Sequence, residues 1–427
     1  MKSHSVNRFS SLFVAVFLFS LPLIAAAAGR VCDVRQHGAK GDGITKDTRA
    51  IQAAIDECAH PGGGTVRLSG GTFLSAPIVL RSHITLELGA GAVLLGSPDH
   101  TDYPAKTEFR SPGLQSLVSA TNAEDISITG SGVIDGNGES WWIEARRFKD
   151  SGILGSEHSR PRLVVFDHCH HIRVEGVTLQ NSPMWQLVPY NSDDVVIRNI
   201  RVLAPATSPN TDAVNPFSSS NVVIDHLFAD VGDDNIAIKS GAINSSGGDL
   251  PSKNIRITNV DFRHGHGLSI GSEIAGGVQN VTVEHAHFSG TDNGIRIKAN
   301  RDRGNDVSGI RFDDIQMEDV KTALIISAYY PGVLPAEDLA SAPVTRLTPH
   351  FHDIVIENMT ATATKTAGVI AGLPEAPIQG LTLRNVSIHA PAGVTIGYAT
   401  VKAEHFDVQV PDGQAITKLP GASLDIR

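Results

Sequence analysis

One short pattern recurs along most of this chain: two large apolar residues on either side of a single other residue. From residue 172 onward, successive copies begin 23 to 44 residues apart, a spacing typical of proteins built from stacked repeats. The copies begin at residue 84 and end in the last quarter of the chain. They occupy residues 84–86, 126–128, 172–174, 195–197, 222–224, 255–257, 281–283, 310–312, 354–356, 381–383 and 406–408.

Each copy alternates with a period of two, is rich in Val and Ile, and is followed by Gly, Asn or Asp, which predicts short strands. The 41 Gly, the 22 Pro and an aromatic content of 5% also favour strands and turns. One unit cannot bury its apolar face alone, whereas stacked units form a continuous core. We therefore expect an all-β, single-stranded parallel β-helix with stacked coils over 81–427. Within one copy, Val222 and Ile224 should face the core and Val223 should face outward.

The segment before the stack, residues 29–80, carries one helical signature. Asp47 or Thr48 can serve as the N-cap, and the Pro-Gly-Gly-Gly run at 61–64 ends the pattern. A β-helix exposes its core at its open end, so this helix is expected to cap the stack. Its apolar residues lie three or four positions apart, at Ile51, Ala54, Ile55 and Cys58.

The first residues predict a secretory leader. Lys2 and Arg8 precede an apolar run over 12–24, and small residues follow at 25–28. The run is shorter than the roughly 20 residues of a spanning helix. We therefore expect a signal peptide over 1–28, no membrane association after its removal, and a secreted or periplasmic protein.

Three cysteines would remain after cleavage, and an exported chain can keep a disulfide. Cys32 with Cys58 is the more local pairing, which leaves Cys169 as a buried thiol. The chain has no Cys-x-x-Cys, so a structural zinc site has no support. The net charge of -10 gives no support to a nucleic acid or an anionic membrane as partner.

A second strand family lies between the copies and holds the unusual polar residues. When Val214, Ile236, Leu268 and Ile295 are aligned, one polar residue stands two positions before each of them. Neighbouring strands are about 4.8 Å apart, so these residues should stack in one column on successive coils. The column consists of Asp212, Asp234, His266 and Asn293.

Two cations stand beside this column. Arg296 and Lys298 alternate with Ile295 and Ile297, so both should point away from the core on the face where the column emerges. Such cations suit a substrate that bears carboxylates, and Arg offers a bidentate fork.

Gathered carboxylates suit glycosidase chemistry, which needs a proton for the leaving oxygen and a nucleophile or activated water opposite it. Crowding of like charges favours keeping one carboxyl protonated. Asp233 and Asp234 after Gly232 are also compatible with ordinary turn chemistry. His264 and His266 suggest a metal site, but a closed ligand set is lacking.

At these residues the sequence resembles glycoside hydrolase family 28, the polygalacturonase family. The motifs, in the family's order, are Asn210-Thr211-Asp212, Gly232-Asp233-Asp234, Gly265-His266-Gly267 and Arg296-Ile297-Lys298. The resemblance implies a right-handed parallel β-helix that hydrolyses α-1,4 galacturonosyl links with inversion. Two positions depart from the family's frequent pattern: Ala213 stands in place of Gly, and Asn235 in place of Cys.

The resemblance also implies roles for individual residues. Asp233 would be the general acid, Asp212 and Asp234 would activate the attacking water, and His266 would support the acid. The residues expected to bind substrate are Asn210, Arg296, Lys298 and one of Tyr329 and Tyr330. Both tyrosines lie in the longest interval between copies, which predicts a protruding loop.

The sequence thus predicts an exported polygalacturonase that acts on de-esterified pectin as a monomer, without metal or other cofactor. Within the same fold, alternatives are a hydrolase of rhamnogalacturonan or substituted galacturonan, and an exo-acting enzyme. A pectate lyase, which typically uses calcium, and a non-catalytic β-helix that binds glycan also remain open.

Overall fold

The computed structural model describes residues 29–60, 62–150, 159–334 and 340–427, and the expected signal peptide over 1–28 lies outside them. The helices are α1 (Thr48–Cys58) and α2 (Glu139–Asp150), with 3-10 turns at Val34–His37 and His100–Asp102. The strands, in chain order, are β1 (Val31–Asp33), β2 (Asp42–Lys46), β3 (Gly64–Leu68), β4 (Gly71–Ser75), β5 (Ile78–Val79), β6 (Ile84–Leu88), β7 (Ala92–Gly96), β8 (Ala105–Glu108), β9 (Ser111–Leu114), β10 (Val118–Thr121), β11 (Glu124–Gly130), β12 (Val133–Asp135), β13 (Val164–Asp167), β14 (His170–Glu175), β15 (Thr178–Gln180), β16 (Leu187–Tyr190), β17 (Asp193–Leu203), β18 (Ser220–Asp230), β19 (Ile236–Ser240), β20 (Ser252–Arg263), β21 (Leu268–Ile274), β22 (Val278–Ser289), β23 (Asn293–Lys298), β24 (Asp306–Ser327), β25 (His350–Ala371), β26 (Ile378–His389), β27 (Val394–Gly397), β28 (Ala399–Gln409), β29 (Ile416–Lys418) and β30 (Ala422–Ile426).

The strands stack in parallel columns, which confirms the parallel β-helix. The column that we call sheet A holds the repeated pattern; for example, Val222 pairs with Val195 on one side and with Ile255 on the other. Val222 and Ile224 are fully buried and Val223 is half-buried, as the alternation predicts. Sheet A consists of β1, β3, β6, β11, β14, β17, β18, β20, β22, β24, β25, β26, β28 and β30.

Two further columns complete each coil. Sheet B consists of β2, β4, β7, β12 and β15, and it continues in the second halves of the long strands from β17 onward. Sheet C consists of β5, β10, β13 and β16, a bridge at Val214, then β19, β21, β23, the ends of β24 and β25, β27 and β29. The antiparallel hairpin β8–β9 stands apart from these columns.

Polar residues with left-handed backbone conformations hold the turns of successive coils together. Asp194, Asn221, Asn254 and Asn280 all have φ between 53° and 56°. Each of the three Asn side chains donates a hydrogen bond to the carboxylate or amide oxygen of the residue one coil earlier, over 2.8 to 3.1 Å. Asn and Asp adopt this conformation more readily than other non-glycine residues, which explains their recurrence immediately before the repeated pattern.

The N-terminal cap is confirmed. Helix α1 buries Ile51, Ala54, Ile55 and Cys58, and Cys58 forms the disulfide with Cys32. Asp47 is the N-cap residue, but its carboxylate accepts from the backbone N–H groups of Lys40 and Gly41 at 2.7 and 2.8 Å instead of capping the helix. Cys169 is buried, as expected, and burial raises the pKa of its thiol to about 11.

Three features differ from the prediction. Parallel pairing begins at Val31, within the segment expected to be only a cap. Leu381 pairs with Val401, whereas Phe406 pairs with Val386, so the last copy of the pattern was assigned to the wrong register. The copy that pairs in register is Val401-Lys402-Ala403. Its second apolar residue is the small Ala403, so the pattern of two large apolar residues cannot be recognised there. Helix α2 was not predicted.

Within the described ranges, no helix is long and apolar enough to cross a bilayer.

Candidate active site

The register of sheet C brings the polar column together. Val214 pairs with Ile236, Ile236 with Leu268, and Leu268 with Ile295, which is the alignment assumed from the sequence. The residues two positions earlier therefore lie on neighbouring coils at one edge of sheet C. These residues are Asp212, Asp234, His266 and Asn293.

Glycines beside the column allow the backbones of successive coils to approach closely. A Cβ atom at Gly232 would lie 2.1 Å from the carbonyl oxygen of Ser208, and one at Gly267 would lie 2.0 Å from that of Asn293. Asn235 links these turns, since its amide donates to the carbonyl of Ala229 at 3.0 Å and accepts from the Gly267 N–H at 2.9 Å. Asn235 therefore has a packing role at the position where the family often has Cys.

Asp234 is buried and fully paired. Its Oδ1 accepts from the Ser269 hydroxyl at 2.8 Å and lies 3.2 Å from Arg296 Nη2, while its Oδ2 accepts from Lys298 Nζ at 2.9 Å. Burial opposes ionisation, but the neighbouring cations Arg296, Lys298 and Lys239 outweigh it and hold the pKa of Asp234 well below its usual range. Asp234 is therefore a fixed negative charge.

Asp233 and His266 form a pair next to this charge. His266 Nδ1 lies 3.0 Å from Asp233 Oδ1, and the two side chains are 32% and 20% exposed, whereas that of Asp234 is 2% exposed. Burial lowers the pKa of His266, but its contact with Asp233 raises it above the usual value overall. Burial raises the pKa of Asp233, but the same contact lowers it overall. These opposite shifts favour a protonated His266 beside an ionised Asp233 in the free protein.

Asp212 has the opposite character. It is buried, and its Oδ2 accepts from the Asn215 amide at 2.8 Å. Burial, followed by repulsion from Asp233 and Asp234, raises its pKa to about 7. The three carboxyls interact strongly, so this proton belongs to the group rather than to one residue. Near neutral pH the carboxyl cluster of the free protein therefore still binds a proton part of the time, and burial favours the side of Asp212 over the more exposed Asp233.

The two expected substrate-binding cations do face outward from sheet C, but they are not solvated. The Lys298 side chain is 7% exposed and that of Arg296 is 15% exposed. Arg296 also donates from Nε to the Ser269 hydroxyl at 3.1 Å. Each cation uses only part of its donors on these partners, because Lys has three donors and Arg has five.

The two tyrosines occupy different places. The Tyr330 ring centroid lies 5.5 Å from Lys298 Nζ, so Tyr330 borders the carboxylate cluster. The Tyr329 hydroxyl donates to the carbonyl of Gly372 at 2.8 Å, and its ring packs against the core. Of the two tyrosines, Tyr330 is the one beside the cluster.

Several residues at the site were missed from the sequence. Lys239 is buried, donates to Glu273 at 2.9 Å and lies 5.2 Å from the Trp185 ring centroid. Arg160 donates to the side-chain oxygen of Asn210 at 2.6 Å, so that Asn210 is already bound within the protein. The alternation of β19 could have revealed Lys239, but nothing in the pattern pointed to Arg160 or Trp185.

A metal ion fits this cluster poorly. Asp233, Asp234 and His266 each offer a ligand atom within 4.8 Å of the others. Arg296 and Lys298 already neutralise Asp234, so a further cation there would be repelled. Calcium also prefers a set of oxygen ligands, which a histidine nitrogen does not complete.

A cleft of about 470 Å³ lies elsewhere, beside α2. None of the residues expected to act on substrate lines it, and the carboxylate cluster lies instead on the outer face of sheet C. The residues that line the cleft beside α2 include Asp135, Trp142, Arg146, Asn181 and Thr207.

Comparisons with known proteins identify the family of this chain. The model of glycosyl hydrolases family 28 matches residues 75–405. A probable polygalacturonase of Vitis vinifera is 31% identical over 420 residues, covering 91% of this chain and 83% of its own. An endo-polygalacturonase of Pectobacterium carotovorum subsp. carotovorum is 30% identical, covering 94% of this chain and 100% of its own. The crystal structure of a hyperthermoactive exopolygalacturonase from Thermotoga maritima has a TM-score of 0.74 at 26% identity, covering 91% of each chain. This chain therefore belongs to glycosyl hydrolase family 28.

Proposed function

We propose that this protein hydrolyses the α-1,4 galacturonosyl links of de-esterified pectin with inversion. The observation that carries the proposal is the cluster of Asp212, Asp233 and Asp234 with Arg296 and Lys298 beside it. The carboxylates suit acetal hydrolysis, and the cations suit a substrate with a carboxylate on every sugar. The names of the relatives support the same substrate.

Asp233 is the proposed general acid. It is the most exposed of the three carboxyls, so it can reach a glycosidic oxygen that the buried Asp212 and Asp234 cannot. His266 shares a proton with it across 3.0 Å. The proposed role requires that the proton of the cluster resides on Asp233 when substrate is bound, and that Asp212 is then ionised.

Asp212 and Asp234 are the proposed groups that activate water. Asp234 remains ionised because Arg296 and Lys298 compensate its charge. In the balanced reaction, the C1–O bond breaks, the leaving oxygen takes the proton of Asp233, and water adds its hydroxyl to C1. The second proton of water passes to the Asp212–Asp234 pair.

The unused donors of Arg296 and Lys298 are the proposed contacts for a galacturonate carboxylate, with Tyr330 beside them. We also propose that the chain is exported as a monomer after removal of residues 1–28. The disulfide between Cys32 and Cys58 supports an oxidising compartment.

The test is time-resolved proton NMR of the purified mature protein with a galacturonate oligomer. We expect a β anomeric reducing end before mutarotation begins. A vinylic proton, lost on addition of a chelator, would instead identify a calcium-dependent lyase. Binding without turnover would identify a glycan-binding protein. Turnover restricted to rhamnogalacturonan or to a substituted galacturonan would reassign the substrate within the family.

A further inference from the structure

The hairpin β8–β9 lies across the outer face of sheet C, beside the catalytic cluster. Its tip places Phe109 against three aromatic rings of that face. The ring centroids lie 4.6 Å from Tyr190, 5.5 Å from Phe217 and 6.0 Å from Trp185. Together with Val165 and Val188, these residues form a small apolar cluster separate from the main core.

This cluster fills the face on one side of the catalytic residues. Phe217 follows Asp212 on the same coil and pairs with Tyr190 one coil earlier. Val165 and Val188 point away from the main core, yet both are at most 1% exposed. The outer face of the two coils that precede Asp212 is therefore covered by protein and is closed to a polymer.

The hairpin is fixed at both edges of sheet C. On its own side, Glu108 is buried and accepts from Arg162 at 2.8 Å and from the Ser116 hydroxyl at 2.9 Å. The Arg162 guanidinium lies over both Phe109 and Trp185, at 4.4 and 4.9 Å from their ring centroids.

On the opposite edge, Arg110 pairs with Asp249. The hairpin precedes β10 in the chain, whereas Asp249 lies in the segment that follows β19, so this ion pair joins segments from the two edges of sheet C. The Asp249 side chain is only 1% exposed. The hairpin therefore forms a bar across the sheet.

The two-residue turn at the tip of the hairpin consists of large residues with left-handed backbone conformations. Phe109 and Arg110 have φ of 51° and 64°. Two-residue hairpin turns with both φ values positive favour Asn-Gly, and large side chains are disfavoured there. The sequence nevertheless has Phe and Arg, whose side chains make the two contacts that hold the bar in place.

The cations expected to bind substrate lie on the coils that follow Asp234, on the side of the cluster opposite the hairpin. Lys298 pairs with Gly271 on the preceding strand and lies beside Tyr330, on coils that follow Asp234. The cations to which the proposed function assigns the substrate carboxylate therefore lie on the later coils, and the aromatic bar lies on the earlier ones.

We propose that the hairpin β8–β9 closes the groove on the side of the earlier coils, so that the enzyme removes short units from the ends of galacturonan chains. This inference rests on the proposed function. The enzyme still breaks the C1–O glycosidic bond described above. The hairpin limits only the number of sugar units that can bind between that bond and the closed end of the groove.

The first experiment follows polygalacturonate digestion by the wild-type protein, with viscosity, new reducing ends and early product lengths measured together. We expect one short product of constant length from the first time points, and little loss of viscosity per bond cut. Rapid loss of viscosity with products of mixed length would overturn the inference but support the proposed function. No new reducing ends at all would overturn the proposed function, and the inference with it.

Two variants test the hairpin itself. In the double variant Phe109→Asn, Arg110→Gly, the turn gains the residues it favours and loses both anchoring side chains. In the second variant, Asn-Gly replaces residues 105–114. This replacement suits the geometry because the Gln115 N–H already donates to the Pro104 carbonyl at 2.9 Å. Arg173→Ala, which removes an ion pair with Glu175 on sheet A, is the matched control.

In at least one hairpin variant we expect a several-fold greater loss of viscosity per bond cut and longer early products, with turnover of a galacturonate trimer retained. Arg173→Ala should behave as the wild type. If both variants turn over the trimer and still release only the short end product, the hairpin does not close the groove and the inference is overturned.

Discussion

The outer faces of sheets A and C have the same stacking geometry but opposite chemistry. On sheet A, the outward cations are exposed; in the pair Arg256–Glu284, 3.0 Å apart, the side chains are 64% and 28% exposed. Even where the carboxylate is buried, as at Glu357, its partners Arg311 and Arg384 are 46% and 44% exposed. On sheet C, the pair Lys298–Asp234, 2.9 Å apart, is 7% and 2% exposed. Stacked strands therefore place charges on either face, and the two faces differ in how far whole ion pairs, with their cations, are buried.

Burial changes what these charges do. Solvated pairs contribute little to stability, whereas buried charges lose hydration and must be compensated by neighbours. On sheet C, three Asp carboxyls share a region with Lys239, Arg296 and Lys298, and their pKa values diverge in consequence. Sheet A thus serves to build the coil, while sheet C keeps reactive groups in unusual protonation states.

The largest effect is expected where a charge is forced into the core of sheet A. Val222→Asp buries an uncompensated carboxylate and should lower the free energy of unfolding by at least about 4 kcal/mol. Val223→Asp, one residue along and half-buried, should cost about 1 kcal/mol or less. Urea denaturation measures both. If Val223→Asp lowered the free energy of unfolding more than Val222→Asp, residue 223 rather than residue 222 of β18 would face the core.

On sheet C, the largest expected effect is on catalysis. Asp233→Asn removes the proposed proton donor with little change in volume and should lower kcat by about 10²- to 10⁴-fold, with substrate affinity largely kept. Asp230→Asn is the matched control, because Asp230 lies three residues earlier, is 34% exposed and pairs with His264, which has no proposed catalytic role. Steady-state kinetics decide, and wild-type turnover in Asp233→Asn would remove this residue from the acid role.

Charge recognition should be the next largest effect. Lys298→Met keeps the stem of the side chain and removes the ammonium, so binding of a galacturonate oligomer should weaken by about 10- to 100-fold. Calorimetric titration in an Asp233→Asn background measures binding without turnover. The methyl-esterified oligomer should lose much less affinity, and equal losses for the two ligands would contradict carboxylate recognition. Lys253→Met, at an exposed position of β20, is the control.

The pKa of Asp212 predicts a pH-dependent stability. Between the unfolded pKa near 4 and the folded value of about 7, the folded state holds a proton that the unfolded chain releases. The contribution of Asp212 to stability is therefore full below pH 4 and is lost as pH rises towards 7. Asp212→Asn cannot titrate but can still accept from Asn215. Relative to the wild type, it should gain about 2 to 4 kcal/mol between pH 4 and pH 7 in urea denaturation. An equal pH dependence in both proteins would contradict the raised pKa.

The sequence predicted those parts of the site that depend on strand stacking. Pairing fixes the spacing of successive coils, so Asp212, Asp234 and His266 could be aligned from three short motifs. Alternation along β23 likewise predicted that Arg296 and Lys298 share one face.

Contacts made by irregular segments could not be predicted in this way. Phe109 and Arg162 reach sheet C from segments without the repeat, and their positions depend on loop conformation rather than on spacing. The protonation order of Asp212 and Asp233 depends on relative burial, which spacing does not reveal. The misassigned register at Phe406 has a different origin: Ala403 is small, so residues 401–403 do not show the repeated pattern, whereas residues 406–408 show it by chance.

The smallest expected effect tests the comparison from the side of sheet A. Arg256→Met removes the exposed pair with Glu284 and keeps the stem that covers its neighbours. Because both partners are solvated, the loss in free energy of unfolding should be below about 1 kcal/mol and should shrink further in high salt. Urea denaturation at low and high ionic strength measures it. A loss above about 2 kcal/mol that persists in salt would mean that the outward ladder of sheet A holds the coils together, and that burial alone does not separate the two faces.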